Sequence, residues 1–155
     1  MARGHDAGAI GVAASRLFDS GAVGDAQLRI AGRVGRALPV LAPGGAVHSW
    51  FVPITVGEML AAFLQLLPDG TLMRFSSFQT RPEAADWLDA ARIRRRAQAE
   101  CRAGEIAGEP LLTYDRSPDR LVWSVPLIDS RGGTRLVHIA GTQVFAPPPS
   151  GGVGG

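Results

Sequence analysis

At 155 residues, 46% hydrophobic and 19% charged, the chain has the balance of a globular protein rather than a disordered one, and it holds no run of about 18 apolar residues to span a membrane. The formal charge is +2 and the pI near 9.5, yet all 16 basic residues are arginine, with no Lys and no Asn, a bias that a GC-rich genome produces without selection for nucleic acid. One cysteine, Cys101, excludes an internal disulfide and leaves the redox compartment open.

In chain order, Asp6 caps a predicted helix that runs to about Phe18, with Ile10, Ala13, Ala14, Leu17 and Phe18 on one side and Ser20-Gly21 as its stop. The apolar run from Ala7 to Ala14 is diluted by Gly8 and Gly11 and ended by Arg16, so it makes a poor signal peptide and cytoplasm is the default compartment. Residues 22–37 read as a loop with one edge strand around Leu28 to Ala31; Gly32 and Gly35 lack the strand-to-helix context of a phosphate-binding fingerprint. Leu38 to Leu41, a Pro43-Gly44-Gly45 turn and the strand around Trp50 give a hairpin.

The run from Met59 to Leu67 favours helix by propensity, and Thr55 with Glu58 could cap it. The internal repeat argues for a strand buried on both faces. Ser49-Trp50-Phe51-Val52-Pro53-Ile54 returns as Val122-Trp123-Ser124-Val125-Pro126-Leu127 at an offset of 73 (50 to 123, 53 to 126), and Gly57 and Leu60 match Gly133 and Leu136, where the chain reads plainly as strand. Trp, Val and Ile or Leu alternate in both copies and so share one strand face. Pro53 and Pro126 cannot donate to a ladder, so each marks a bulge, a break or an edge open to a partner strand.

Thr80 and Glu83 form a capping box with Pro82 in the first turn, and Asp89 caps a second helix from Ala90 to Ala103 that Gly104 ends. Ala90, Ile93, Ala97 and Cys101 line one face of that helix; Arg92, Arg95, Arg96 and Arg102 line another, with Arg94 beside them. Strands follow at Leu111 to Tyr114, Arg120 to Ile128 and Thr134 to Ala140, and Gly141 to Phe145 closes the fold. The remainder, 146–155, is a Pro/Gly-rich tail with too little apolar surface to fold.

The Asp89 helix, Glu109-Pro110-Leu111-Leu112-Thr113-Tyr114, Arg120-Leu121-Val122-Trp123-Ser124-Val125 and Gly141-Thr142-Gln143-Val144 together resemble a PepSY domain over about residues 83–145, with a diverged second copy in 6–77. The resemblance implies a non-enzymatic module similar to the inhibitory propeptides of secreted metallopeptidases, with no catalytic residue to carry over. The sequence departs from that setting in having no peptidase after the module and no export signal before it.

Residues able to carry chemistry are scattered. His5, His48 and His138 have no second ligand at helical or strand spacing, so a metal site would have to be assembled by the fold, and none is expected. Cys101 reads as a small buried hydrophobe rather than a nucleophile paired with His138, and Asp115 and Asp119 as turn residues in exposed ion pairs with Arg116 and Arg120 rather than an acid/base pair. Trp50 and Trp123 read as core.

The expected fold is α+β: two helices on antiparallel sheet, in pseudo-repeated halves 6–77 and 80–145 that merge into a single domain over 1–145. The expected function is a PepSY-like protein-binding or inhibitory module without cofactors, its partner another protein met by Arg92, Arg95 and Arg96, with nucleic acid disfavoured. One alternative is a ligand-binding protein or enzyme with a cystatin-like cone-shaped fold, its pocket holding His138, Met73 or Gln65; another is a subunit of a larger assembly that uses Met59 to Leu67 as its interface.

Overall fold

The computed structural model describes residues 6–147 and divides the chain into two compact units, Met1–Ala85 and Asp86–Gly155. Among the described residues the fold is α+β as expected, but with four helices rather than two, on two antiparallel sheets, because the helices at Ala26–Ala31 and Ala84–Leu88 are short segments without a helical period of their own in the sequence. His5 and most of the predicted tail lie outside the described residues.

In the first unit α1 spans Ala7–Asp19 and starts where expected, because the Asp6 carboxylate accepts the Ala9 amide at 2.9 Å. The strand expected at Leu28 to Ala31 is instead a helix, α2 (Ala26–Ala31): Asp25 accepts the Leu28 amide at 2.8 Å, and this cap, with Leu28 buried, outweighs the weak strand signal. The sheet then builds from β1 (Arg33–Val34), β2 (Leu38–Leu41), β3 (Val47–Val56), β4 (Met59–Leu66) and β5 (Leu72–Ser77), in the order β1-β3-β4-β5, with β2 also on β3. The ambiguous apolar run is strand β4, and all its positions but Met59 are buried. A helix there would have left part of its apolar circumference in water, whereas a central strand covers both faces. That burial also removes the run as an assembly interface: Leu60, Leu64 and Leu66 are spent inside the protein. Trp50, Val52 and Ile54 pack with Ile10, Ala14 and Phe18 in one cluster, each fully buried aliphatic side chain contributing about 1.5–3 kcal/mol.

The capping box expected at Thr80 and Glu83 does not form. Glu83 bridges Met59 in antiparallel register, the Pro82 carbonyl accepts the Leu60 amide at 2.8 Å, and the short helix α3 (Ala84–Leu88) begins only afterwards, its Ala84 amide bonded to the Glu58 carbonyl. Backbone groups at the start of β4 claim this segment before a helix can nucleate there.

In the second unit α4 spans Ala90–Gln98, with the Asp89 carboxylate on the Ala91 and Arg92 amides. It ends five residues before the expected Ala103, so Cys101 is not on the helix. Glu105 accepts the Arg102 amide at 2.7 Å, and Arg135 holds both Glu105 and the Glu100 carbonyl, which turns the chain out of the helix before Gly104. Strands β6 (Ile106–Ala107), β7 (Leu111–Tyr114), β8 (Leu121–Ile128), β9 (Thr134–Ala140) and β10 (Gln143–Phe145) form the sheet β10-β9-β8-β6, with β7 also on β8. Trp123, Val125 and Leu127 are buried in alternation, as expected.

Both prolines sit at bulges rather than at an open edge. Between β1 and β2, residues 35–37 face only positions 52 and 53 of β3; between β6 and β7, residues 108–110 face only 125 and 126 of β8. The missing proline donor falls inside the bulge, while its carbonyl accepts Gly35 or Gly108 at 2.8 Å. Both glycines lie against the proline ring: an added Cβ would stand 2.9 Å from Pro53 Cγ at position 35 and 2.8 Å from Pro126 Cγ at position 108.

Candidate functional site

Each unit has an open cleft beside its longer helix, next to the bulge. In the first unit a cleft of about 380 Å3 runs along Gly8, Gly11, Val12 and Ser15 of α1 and is closed by Val34 and Gly35. Its helix wall is mostly small side chains, with Arg16 and Asp19 at one end. In the second unit a cleft of about 490 Å3 runs along Ala90, Ala91, Arg94, Arg95 and Gln98 of α4 and is closed by Glu109 and Pro110 of the bulge. Both volumes fall near the range of about 300–1,000 Å3 typical of ligand clefts.

The arginines expected to meet a partner divide by what holds them. Asp86, nearly buried, accepts Arg92 and Arg96 at 3.1 Å each, and Arg96 also donates to the Gly141 carbonyl at 2.8 Å. Arg92 and Arg96 stand one helical turn apart and so share the side that reaches Asp86. Close by, the Trp123 indole donates to the Trp87 carbonyl at 2.9 Å, and a Cβ on Gly141, whose φ is +62°, would come within 3.1 Å of Trp87 Nε1. Arg92 and Arg96 are therefore part of the frame of the second unit. Arg94 gives its Nε–H to the Ala107 carbonyl at 3.0 Å, fixing α4 to β6. The guanidinium of Arg95, exposed in the cleft, makes no ion pair or hydrogen bond among the described residues. Only Arg95 of the three expected contacts lies in the cleft with its charge uncommitted.

Other polar residues singled out in the sequence serve packing. Asp115 is buried, not exposed, and faces Arg120 at 3.8 Å, while Asp119 takes the Ser117 hydroxyl within its turn. The Glu105 carboxylate receives Nε and a terminal nitrogen of Arg135 at 2.9 and 2.8 Å; these bonds hold it down to about pH 2. His138 is buried on β9 with its ring edge-on to Phe145 at 5.7 Å, and Nδ1 has no partner among the described residues. Burial pushes its pKa below the ordinary 6.5, with Asp115 opposing.

Gln65, Met73 and His138 do not converge. Gln65 donates to the Ser49 hydroxyl and accepts from Arg74, both at 2.8 Å, Met73 is exposed on β5, and neither cleft is lined by any of the three. Among the described residues no three His, Cys, Asp or Glu side chains gather as a metal cluster, and no helix is long and apolar enough to cross a membrane.

Helix positions match between the units as the strands do, at a different spacing. Asp6, Ile10 and Ala14 stand where Asp89, Ile93 and Ala97 stand, an offset of 83: cap, buried Ile and buried Ala in each helix. At the strand offset of 73 the first helix lies too far upstream to match, and the offset of 83 accounts for its place. Comparison with known proteins adds nothing to the geometry: no family model, curated protein or solved structure matches the chain.

Proposed function

We propose that the chain is a non-enzymatic, protein-binding module made of two copies of one PepSY-like unit. The observation that carries this reading is the pair of clefts, which occur at the same place in two units of the same strand order, each between the capped helix and the bulge opposite a strand proline. A cleft walled on one side by a helix and on the other by bulged backbone suits an extended segment, which can lay side chains along the helix and meet backbone groups left out of the ladder. The helix offset of 83 against the strand offset of 73 places ten extra residues between helix and sheet in the first unit, the stretch that holds α2. An insertion of that size between two otherwise equivalent segments fits divergence after duplication.

The test is an amide-shift experiment on the 15N-labelled chain, exposed separately to pools of linear peptides and to a collection of small metabolites. The proposal expects peptide-induced shifts along α1 with Gly35, or along α4 with Glu109. Shifts that arise only with metabolites and centre on Gln65 or His138 would replace it with the ligand-pocket alternative.

A further inference from the structure

We propose that the cleft of the second unit seats an extended peptide segment bearing a discrete acidic side chain, with Arg95 as the counter-ion; this rests on the binding-module reading. Three of the four arginines on α4 are committed within the unit: Arg92 and Arg96 to Asp86, Arg94 through Nε to the Ala107 carbonyl. Arg95 is the arginine left without a bond for its guanidinium, and it lies in a cleft whose helix wall also carries Ala90, Ala91, Gln98 and Arg94, the last tethered to β6. Small apolar positions admit a peptide backbone closely, while Arg95 supplies donors for a carboxylate and the Gln98 NH2, its oxygen already accepting the Ala107 amide, can add another. At the helix position equivalent to Arg95 the first unit carries Val12, and the one arginine of its cleft, Arg16, lies at the end of the groove with Asp19, so the acidic preference is assigned to the second unit.

The same cleft argues against a nucleic acid. Glu109 forms part of its wall, and Arg94 and Arg95 are the only cations lining it among the described residues, so a continuous row of phosphates would find two arginines and meet a carboxylate. Polyanion binding draws its affinity from several neutralised phosphates at once. A peptide with one acidic side chain satisfies Arg95 and can turn a backbone N–H or a basic residue toward Glu109.

The test is selection of a random linear-peptide library on the immobilised full chain, followed by affinity measurements with the best synthetic peptide. The proposal expects enrichment of Asp and Glu at a fixed position, affinity about tenfold weaker for Arg95→Glu and recovered in Arg95→Lys, and no change for Arg16→Glu in the first unit. Arg95 is exposed and unpaired, so its variants should fold; Arg95→Gln replaces the charge reversal should that variant fail. Enriched peptides that are neutral or basic, or acidic peptides indifferent to Arg95→Glu, overturn the inference and leave the binding-module reading standing. No enrichment at all overturns both. A single-stranded oligonucleotide probe that binds in an Arg95-dependent way overturns the inference in favour of nucleic acid.

Discussion

In the first unit the sheet face that carries Phe51 is filled and covered. Phe51 and Phe63 are 2% and 7% exposed with ring centres 4.8 Å apart, the Arg74 guanidinium lies 4.9 Å over Phe63, and Gln65 is tied to Ser49 and Arg74. The matching face of the second unit carries Ser124 in place of Phe51, His138 in place of Gln65 and Leu136 in place of Phe63 rather than of Leu60, its match in the sequence repeat, and it exposes Ile106, Leu111, Ile128 and Leu136. What the units share lies elsewhere: the cap, the buried Ile and Ala of the helix, the Trp-x-Val-Pro strand, and the glycine against the proline. The lesson is that strand order rests on this small set of packing and hydrogen-bonding requirements, while the other sheet face and the helix wall of the cleft are left to vary.

The largest expected effect tests the helix equivalence. Ile10→Ala and Ile93→Ala each empty a fully buried site and should each cost about 2–5 kcal/mol in chemical denaturation. A loss at one position with tolerance at the other would break the comparison at the helices. The bulge comes next. Gly35→Ala and Gly108→Ala each press a methyl onto a rigid proline ring and should lower stability by about 1–3 kcal/mol in the same assay. A neutral result at either site would mean that its bulge relaxes freely and the two are not the same device.

Asp86→Ala sharpens the contrast, since it removes the carboxylate that Arg92 and Arg96 share. Both arginines are partly in water, so the expected loss is about 1–2 kcal/mol, seen as faster amide exchange in α4 and around Gly141 with α1 unaffected. Equal loosening of α1 would contradict it.

Acid supplies a further separation. The fold prefers His138 neutral, so on acidification the unfolded chain takes up this proton first; the contribution is present above about pH 6.5 and declines as pH falls below it. Glu105, depressed to about 2, contributes fully above its ordinary 4.5 and loses that contribution as pH falls toward 2. Both groups lie in the second unit, so its amides should lose protection first when exchange is followed down the pH scale, and His138→Leu should remove the upper step. Earlier loss in the first unit would contradict this.

Much of the frame was legible in the sequence, because it is written in local chemistry. Asp6 and Asp89 announce caps, alternating Trp, Val and Ile or Leu announce strands, and the repeat resolved β4 against its own helical propensity. The helix equivalence was hidden by the extra residues around α2, whose cap at Asp25 preceded a stretch too short for helical periodicity to show. The internal partners of the arginines were not legible for a different reason. Spacing puts Arg92 and Arg96 on one side of a helix, but their acceptor, Asp86, precedes the cap and is brought to them by tertiary packing. Burial of Asp115 and His138 depends likewise on strands distant in sequence.

The claim that one unit is built twice meets its most direct test in backbone amide exchange at the two bulges, read by NMR on the full chain. The account predicts slow, comparable exchange at Gly35 and Gly108, whose amides are held by the Pro53 and Pro126 carbonyls at 2.8 Å, and fast exchange at the next residues, Arg36 and Glu109, which leave the ladder. Protection at only one of the two glycines, or fast exchange at both, would contradict it.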